Sequence, residues 1–267
     1  MTTVAVLGAG RIGQTVLSGL RRSGRGADEL IATVRRPEQA EVVRESLGVR
    51  VLPTAEAVEA AEIAVVAVKP QDAADLLTEL SGLPAGRLVV SLCAGLPTGF
   101  FEKRLPDGTA VVRAMPNTPA LVDQAMTVLS AGRFASASDL EHAENLFKPL
   151  GRTLILPEKQ QDAVTALSGS GPAYFYYLVE AMTDAAILLG LPRTVAHELI
   201  VQTAVGAAAM LRETGEHPVR LREAVTSPAG TTINAVRELE RHRVRAAVAD
   251  AVEAARDRAQ AIAESIT

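Results

Sequence analysis

Residues 4–13 constrain the chain more than any other stretch. They read Val-Ala-Val-Leu-Gly-Ala-Gly-Arg-Ile-Gly, a short apolar run followed by G-x-G-x-x-G and then an amphipathic segment from Arg11. Strand, glycine turn and helix in that order open a β-α-β unit that binds a dinucleotide. Each glycine has its own duty. Gly8 makes the tight turn, Gly10 lets the backbone approach a pyrophosphate, and Gly13 lets helix and strand pack closely. The free N–H groups and the positive end of the helix dipole then hold the phosphates.

The rest of the first half repeats this alternation. Apolar runs at 4–7, 30–34, 63–68, 88–93, 110–115, 126–129 and 153–156 alternate with helical stretches near 11–23, 37–47, 54–61, 72–80, 97–104 and 139–149. The first five runs are rich in Val and Ile and apolar at nearly every position, as strands buried on both faces of a parallel sheet are. The pattern predicts an α/β chain with an N-terminal Rossmann-type, doubly wound sheet. It changes near 160. From Gln161 onward the sequence shows no convincing strand. Helices are predicted over 173–189, closed by Gly190 with Pro192 beyond, then 193–214 ending at Gly215, then 219–225, 230–240 and 243–265. The expected domains are therefore 1–160, dinucleotide-binding, and 161–267, all-helical.

Composition excludes several functions. The 27 Lys and Arg are scattered among 31 Asp and Glu, for a net charge of −4. That leaves no basic face to displace phosphate counterions, so no nucleic-acid partner is expected. Cys93 is the only cysteine, too few for an internal disulfide or a thiolate metal cluster, and no metal site is expected. No apolar run reaches the ~18–20 residues that cross a bilayer. The first strand begins at Val4, which leaves no room for a signal peptide. These features predict a soluble cytoplasmic protein with no membrane partner.

The end of the second strand indicates which dinucleotide is bound. Asp28 and Glu29 precede the 30–34 strand and so lie at its wrong end for a ribose 2′-OH. Arg35-Arg36-Pro37 follow it. Two guanidiniums there suit a 2′-phosphate through charge-assisted bonds, which predicts NADP(H), with NADPH preferred and NADH admitted. Ala67-Val68-Lys69-Pro70-Gln71 and Ser91-Leu92-Cys93-Ala94-Gly95 end two more strands, in the region where open α/β sheets bind ligands. Lys69 also reads as an ordinary surface lysine, and Cys93 reads better as a buried small hydrophobe than as a nucleophile.

Three polar, glycine- or proline-bearing stretches interrupt the later apolar sequence: Met115-Pro116-Asn117-Thr118-Pro119-Ala120, Ser168-Gly169-Ser170-Gly171-Pro172-Ala173, and Thr226-Ser227-Pro228-Ala229-Gly230-Thr231-Thr232. Ordinary loop and capping chemistry accounts for any one of them equally well. As a ligand site, the third is a turn whose N–H groups suit an anion such as a carboxylate. The helical half has no lysine after Lys159, and its histidines lie in polar or amphipathic stretches. A carbonyl reductase often needs a cationic or imidazole proton donor. An imine is basic enough to be protonated before reduction, so a neutral hydroxyl suffices to orient its nitrogen, and Thr232 is the candidate catalytic residue.

Aromatic residues are scarce, eight in 267, yet four are consecutive: Tyr174, Phe175, Tyr176 and Tyr177. Successive helical positions turn by ~100°, so these four cannot share one face. A helix apolar all round must be buried all round, and about a hundred residues of helical domain are too few to enclose it. The run therefore predicts a core shared between two chains, adjacent to the Ser168–Pro172 loop.

At these residues the chain resembles pyrroline-5-carboxylate reductases over essentially its whole length. The resemblance is carried by 8–13, 67–71, 115–120 and 168–173. Its most specific block is Leu221-Arg222-Glu223-Ala224-Val225-Thr226-Ser227-Pro228-Ala229-Gly230-Thr231-Thr232. It implies a Rossmann domain followed by an all-helical dimerisation domain, in a homodimer or a larger assembly of dimers. It implies NADPH-dependent reduction of L-1-pyrroline-5-carboxylate to L-proline. Cofactor positions would then include Gly8, Ala9, Gly10, Arg11, Ile12 and Gly13 at the fingerprint and Arg35 and Arg36 at the 2′-phosphate. Thr54 would lie near the adenosine, Val68, Lys69 and Pro70 on the nicotinamide side, and Ala94 opposite. Ser227, Gly230, Thr231 and Thr232 would bind substrate, the backbone N–H groups of the last three holding the carboxylate. The chain departs from the family pattern at Thr54 and Ala224, where some members carry Asn, and at Ala229, which replaces a glycine. If position 229 needs a positive φ, alanine is strained there by roughly 1 kcal/mol or more. A β-hydroxyacid dehydrogenase shares the fingerprint and a helical second domain, but its family relies on a lysine in the helical half, which this chain lacks.

Overall fold

The computed structural model describes residues 2–266. Its contacts divide the chain into two compact units, Met1–Ser170 with Ala255–Thr267, and Gly171–Ala254. The sequence-expected boundary between 160 and 161 falls between the last strand and the 170/171 division.

The first unit is built on β1 (Val4–Leu7), α1 (Arg11–Arg22), β2 (Leu30–Thr33), α2 (Glu38–Leu47), β3 (Arg50–Val51), α3 (Thr54–Ala60), β4 (Ile63–Val66), α4 (Ala73–Glu79), β5 (Leu88–Ser91), α5 (Thr98–Glu102), β6 (Ala110–Met115), β7 (Ala125–Ala131), α6 (Ala137–Phe147) and β8 (Gly151–Ile155). The strands form one sheet in the order β3-β2-β1-β4-β5-β6-β7-β8. Every pairing is parallel except β6 with β7. The exception has a geometric cause. Residues 116–124 are too few for the crossover of about a dozen residues that a parallel return requires.

Strand alternation divides the core between the two faces. Val4 and Val6 point to the face covered by Val16, Leu17 and Leu20 of α1 and by Leu146 and Phe147 of α6. Ala5 and Leu7 point to the other, where Leu76, Leu77, Phe100 and Phe101 pack. Strands covered on both sides are apolar at nearly every position, and β1, β2, β4 and β5 are buried throughout, with Thr33 and Ser91 as polar residues at the carboxyl ends of β2 and β5. β3, absent from the expected runs, has two residues, too few to show a period. The second, fourth and fifth strands stop one or two residues short of the expected 30–34, 63–68 and 88–93. Residues 67–68 and 92–93 leave the ladder at the carboxyl edge and become site loops.

After β8 the chain forms α7 (Gln161–Val164) and a π-helical turn, Thr165–Gly169. The second unit contains α8 (Gly171–Leu188), α9 (Arg193–Thr214), α10 (Pro218–Ala224) and α11 (Thr231–Arg241); α12 (Val244–Ile266) begins in it. Gly190 and Gly215 follow α8 and α9 with φ of +91° and +65°, the left-handed conformation that stops a helix. Among the described residues, neither core cluster includes any of 171–254. Phe175, Tyr176 and Tyr177 are 68%, 64% and 72% exposed in the single chain. By length and composition α9 is apolar enough to cross a membrane, with a mean hydropathy of 1.3, which qualifies the expectation that no stretch is.

Candidate active site

A cavity of about 1160 Å³ lies where the glycine loop meets the carboxyl ends of β2 and β4. It exceeds the usual ~300–1,000 Å³ of small-ligand sites, as an extended dinucleotide requires. Its wall brings together Gly8, Ala9, Gly10, Arg11 and Ile12 with Arg35 and Arg36 after β2, Thr54 at the start of α3, and Val68 and Lys69 after β4. Pro70 opens the turn that precedes α4, and Ala94 follows the buried Cys93; neither is part of this wall. Gly13 lies behind the loop.

The loop meets the stereochemical demands of its sequence. Gly8 has φ +100°, and a Cβ there would stand 2.8 Å from Val68 Cγ1. A Cβ on Gly13 would collide with the Gly8 carbonyl oxygen, whereas one on Gly10 meets nothing within 4 Å. The start of α1 has no side-chain cap and no acidic residue in its first turn. Its free N–H groups and dipole are thus left for an anion, and the surface around Gly10 is left clear for its approach. These features fit a dinucleotide pyrophosphate.

The second strand anchors the loop. Gly8 N–H donates to Thr33 Oγ1 at 3.0 Å and Ala9 N–H to the Thr33 carbonyl at 2.8 Å. Gln14 Nε2 donates to the Ala9 carbonyl at 2.8 Å. On the far side, Cys93 Sγ donates to the Val68 carbonyl at 3.4 Å. Burial pushes the Cys93 thiol up to about 12, so it stays protonated at neutral pH and acts as a small core side chain. Arg35 Nη1 stands 3.2 Å from Asp72 Oδ1.

Two of the three polar stretches meet within the first unit. Asn117 Nδ2 donates to the Ser168 carbonyl at 3.1 Å, and Asn117 Oδ1 accepts from Met126 N–H at 2.9 Å. Arg22, at the end of α1, donates to Asp123 at 2.7 Å and to the Ala120 carbonyl at 3.1 Å. That bond holds the Asp123 carboxyl below the usual carboxylate range. The brace places Thr118 and Leu121 on the cavity wall. The segment leading into the π-turn is anchored in turn by polar groups. Buried Arg113 donates to Asp162 at 3.3 Å, Glu158 accepts from Thr98 N–H and Oγ1 at 2.6 and 2.8 Å, and Gln161 Nε2 donates to Ser130 Oγ at 2.8 Å.

The third stretch lies in the second unit. Gly230 N–H donates to the Ser227 carbonyl at 3.1 Å, closing a turn with Pro228 and Ala229 at its centre. A turn with proline in the first central position and positive φ in the second is of type II character and favours glycine second. Ala229 sits there with φ +56°. Ala229→Gly is accordingly expected to stabilise the protein by about 1 kcal/mol, read as a melting temperature about 2–4 °C higher. An unchanged or lower value would show that the alanine is unstrained. Gly230 starts α11 without a side-chain cap or an acid in the first turn. Among the described residues, the Thr231 and Thr232 side chains have no hydrogen-bond partner in the protein. The turn therefore offers N–H and hydroxyl donors suited to a carboxylate. Among the described residues, no His, Cys, Asp or Glu cluster is placed to hold a metal ion.

Sequence reasoning missed Thr33, hidden inside an apolar run, and Asp72, Asp75 and Glu79, which line the cavity from α4 and the turn before it. Nothing local marks those acids. They matter only because the sheet brings them opposite the arginines.

A doubly wound sheet with a glycine fingerprint and paired arginines at its carboxyl edge defines an NADP-dependent oxidoreductase. Residues 3–95 match the family described as NADP oxidoreductase coenzyme F420-dependent, and residues 158–262 match pyrroline-5-carboxylate reductase dimerisation. The chain belongs to the pyrroline-5-carboxylate reductase family. It is 44% identical to the pyrroline-5-carboxylate reductase of Mycobacterium tuberculosis H37Rv over 97% of this chain and 96% of that one. The structure of a pyrroline-5-carboxylate reductase from Coxiella burnetii is 34% identical, covers 98% of both chains and superposes with a TM-score of 0.90. A pyrroline carboxylate reductase from Plasmodium falciparum with NADP bound is 26% identical, also covers 98% of both chains and has a TM-score of 0.90.

Proposed function

We propose that this chain reduces L-1-pyrroline-5-carboxylate to L-proline with NADPH, the last step of proline biosynthesis, as a cytoplasmic homodimer or a larger assembly of dimers. The observation that carries this reading is full-length similarity to pyrroline-5-carboxylate reductases in a chain that keeps both the fingerprint cavity and the 227–232 turn.

The cofactor, when bound, supplies the hydride. The chain's own residues orient and hold. The N–H groups of the 8–13 loop left free by Thr33, from Gly10 onward, bind the pyrophosphate, Arg35 and Arg36 the 2′-phosphate, and Thr54 the adenosine side. Val68, Lys69, Pro70 and Ala94 flank the nicotinamide. Backbone N–H groups of Thr231 and Thr232, with Ser227, hold the substrate carboxylate, while the N–H of Gly230, expected from the sequence to join them, closes the turn on the Ser227 carbonyl instead. The Thr232 hydroxyl orients the ring nitrogen, which is basic enough to be protonated without a lysine donor. The exposed apolar faces of α8 and α9 suit a second copy of the chain better than a bilayer. They lie within the span that matches a dimerisation family, and α9 also carries His197, Glu198, Arg212 and Glu213.

The deciding experiment is NADPH oxidation with pyrroline-5-carboxylate, repeated with NADH. Turnover with NADPH and weaker turnover with NADH is the expected result. Absence of turnover with either would overturn the reading. Thr232→Ala is expected to lower kcat/KM by roughly 10- to 100-fold while leaving NADPH affinity within about twofold, since only a positioned hydroxyl is removed. Unchanged kcat/KM would remove Thr232 from the mechanism.

A further inference from the structure

The cavity has a basic wall and an acidic one. Arg35 and Arg36 follow β2, while Asp72, Asp75 and Glu79 line the same cavity from the turn after β4 and from α4. Positions 72, 75 and 79 share one helical face. β1 lies between β2 and β4 in the sheet. The 3.2 Å ion pair from Arg35 to Asp72 therefore reaches from the end of one neighbouring strand to the end of the other, across the mouth of the glycine loop.

We infer that Asp72 is a specificity-determining residue that sets how strongly the protein prefers a 2′-phosphorylated dinucleotide over one with a free 2′-OH. The inference rests on the proposed role of Arg35 and Arg36 at the 2′-phosphate. In the free protein the Arg35 guanidinium is already paired. A 2′-phosphate either displaces Asp72 from Arg35 or shares the guanidinium with it, and in both cases the nearby carboxylate repels the phosphate's negative charge. A dinucleotide with a free 2′-OH pays neither cost, because it does not need Arg35 and its hydroxyl can donate to a carboxylate. Asp72 thus opposes the arginines and draws the preference toward NADH. Solvent screens the pair, with the Arg35 side chain 83% exposed and that of Asp72 35%. The effect is therefore a several-fold tuning and not an on–off switch.

Calorimetric titration of the full chain with NADP+ and with NAD+ tests this directly, without turnover. Asp72→Asn is expected to tighten NADP+ about three- to tenfold, to leave NAD+ unchanged or weaker, and to keep the melting temperature. In an Arg35→Ala background the same change is expected to have less than half that effect on NADP+. Equal tightening of both nucleotides, no tightening of NADP+, or an undiminished effect without Arg35 would each overturn the inference. Arg35→Ala by itself separates the two levels. If it selectively weakens NADP+ and Asp72→Asn does nothing, the role of Asp72 fails and the 2′-phosphate reading stands. If Arg35→Ala weakens both nucleotides equally, the 2′-phosphate reading fails and the role of Asp72 with it.

Discussion

Replacing Phe175 and Tyr176 together by alanine is expected to raise the dimer dissociation constant by at least about 10³-fold while leaving the fold of each chain intact. Both side chains are about two-thirds exposed in the single chain, on a helix whose apolar residues run all round its surface. If they were ordinary core, truncating each would cost about 3–5 kcal/mol of chain stability. An exposed position instead costs less than about 0.5 kcal/mol. Aromatic anchors buried at an interface are worth about 2 kcal/mol or more each, and in a two-fold dimer every substitution occurs twice. Even with strong non-additivity the loss reaches about 4 kcal/mol, which is the factor of 10³. Sedimentation velocity across a dilution series reads the shift. Far-ultraviolet circular dichroism checks that the helices persist. A fully intact oligomer of native stability would mean that these aromatics do not face a second chain.

Gly13→Ala is expected to damage folding and cofactor binding together. Its Cβ would fall on the Gly8 carbonyl oxygen and lie 3.2 Å from Val6 Cγ1. The obstacle is backbone, which has no rotamer to change. The loop cannot simply retreat, because Gly8 and Ala9 are held by Thr33. Overpacking costs about 1–3 kcal/mol, and the upper end is expected here. Displacing the pyrophosphate-binding N–H groups by even ~1 Å is worth roughly 100-fold in kcat/KM. Gly10→Ala supplies the contrast. Its Cβ meets no protein atom within 4 Å, so it is expected to weaken NADPH binding at an unchanged melting temperature. A Gly13→Ala variant with native stability and native NADPH affinity would show that the loop is more compliant than its hydrogen bonds imply.

Local chemistry explains which parts were legible in the sequence. The fingerprint was readable because its three glycines serve geometry within six residues. The strands were readable because burial on both faces leaves an uninterrupted apolar run, and α8 and α9 because Gly190 and Gly215 stop them. β3 was not, since two residues carry no period. The antiparallel entry of β7 was not, since its cause is the length of the connection before it. The π-turn at Thr165–Gly169 was not, since Asn117 holds it at Ser168 and Arg113 and Ser130 hold the α7 residues just before it, all from distant parts of the chain.

The same division holds for the site. From sequence alone came the dinucleotide fold, the paired arginines after β2, the 227–232 turn, and an aromatic run that demands a second surface. Each is written in adjacent residues, because it depends on backbone conformation, local charge or helical period. Tertiary structure alone decided that Thr33 anchors the glycine loop, that Ala229 sits at positive φ, and that Asp72 faces Arg35 across the cavity. Those facts depend on which strand ends the sheet order brings together and on how the chain turns in space, and no run of neighbouring residues encodes either one.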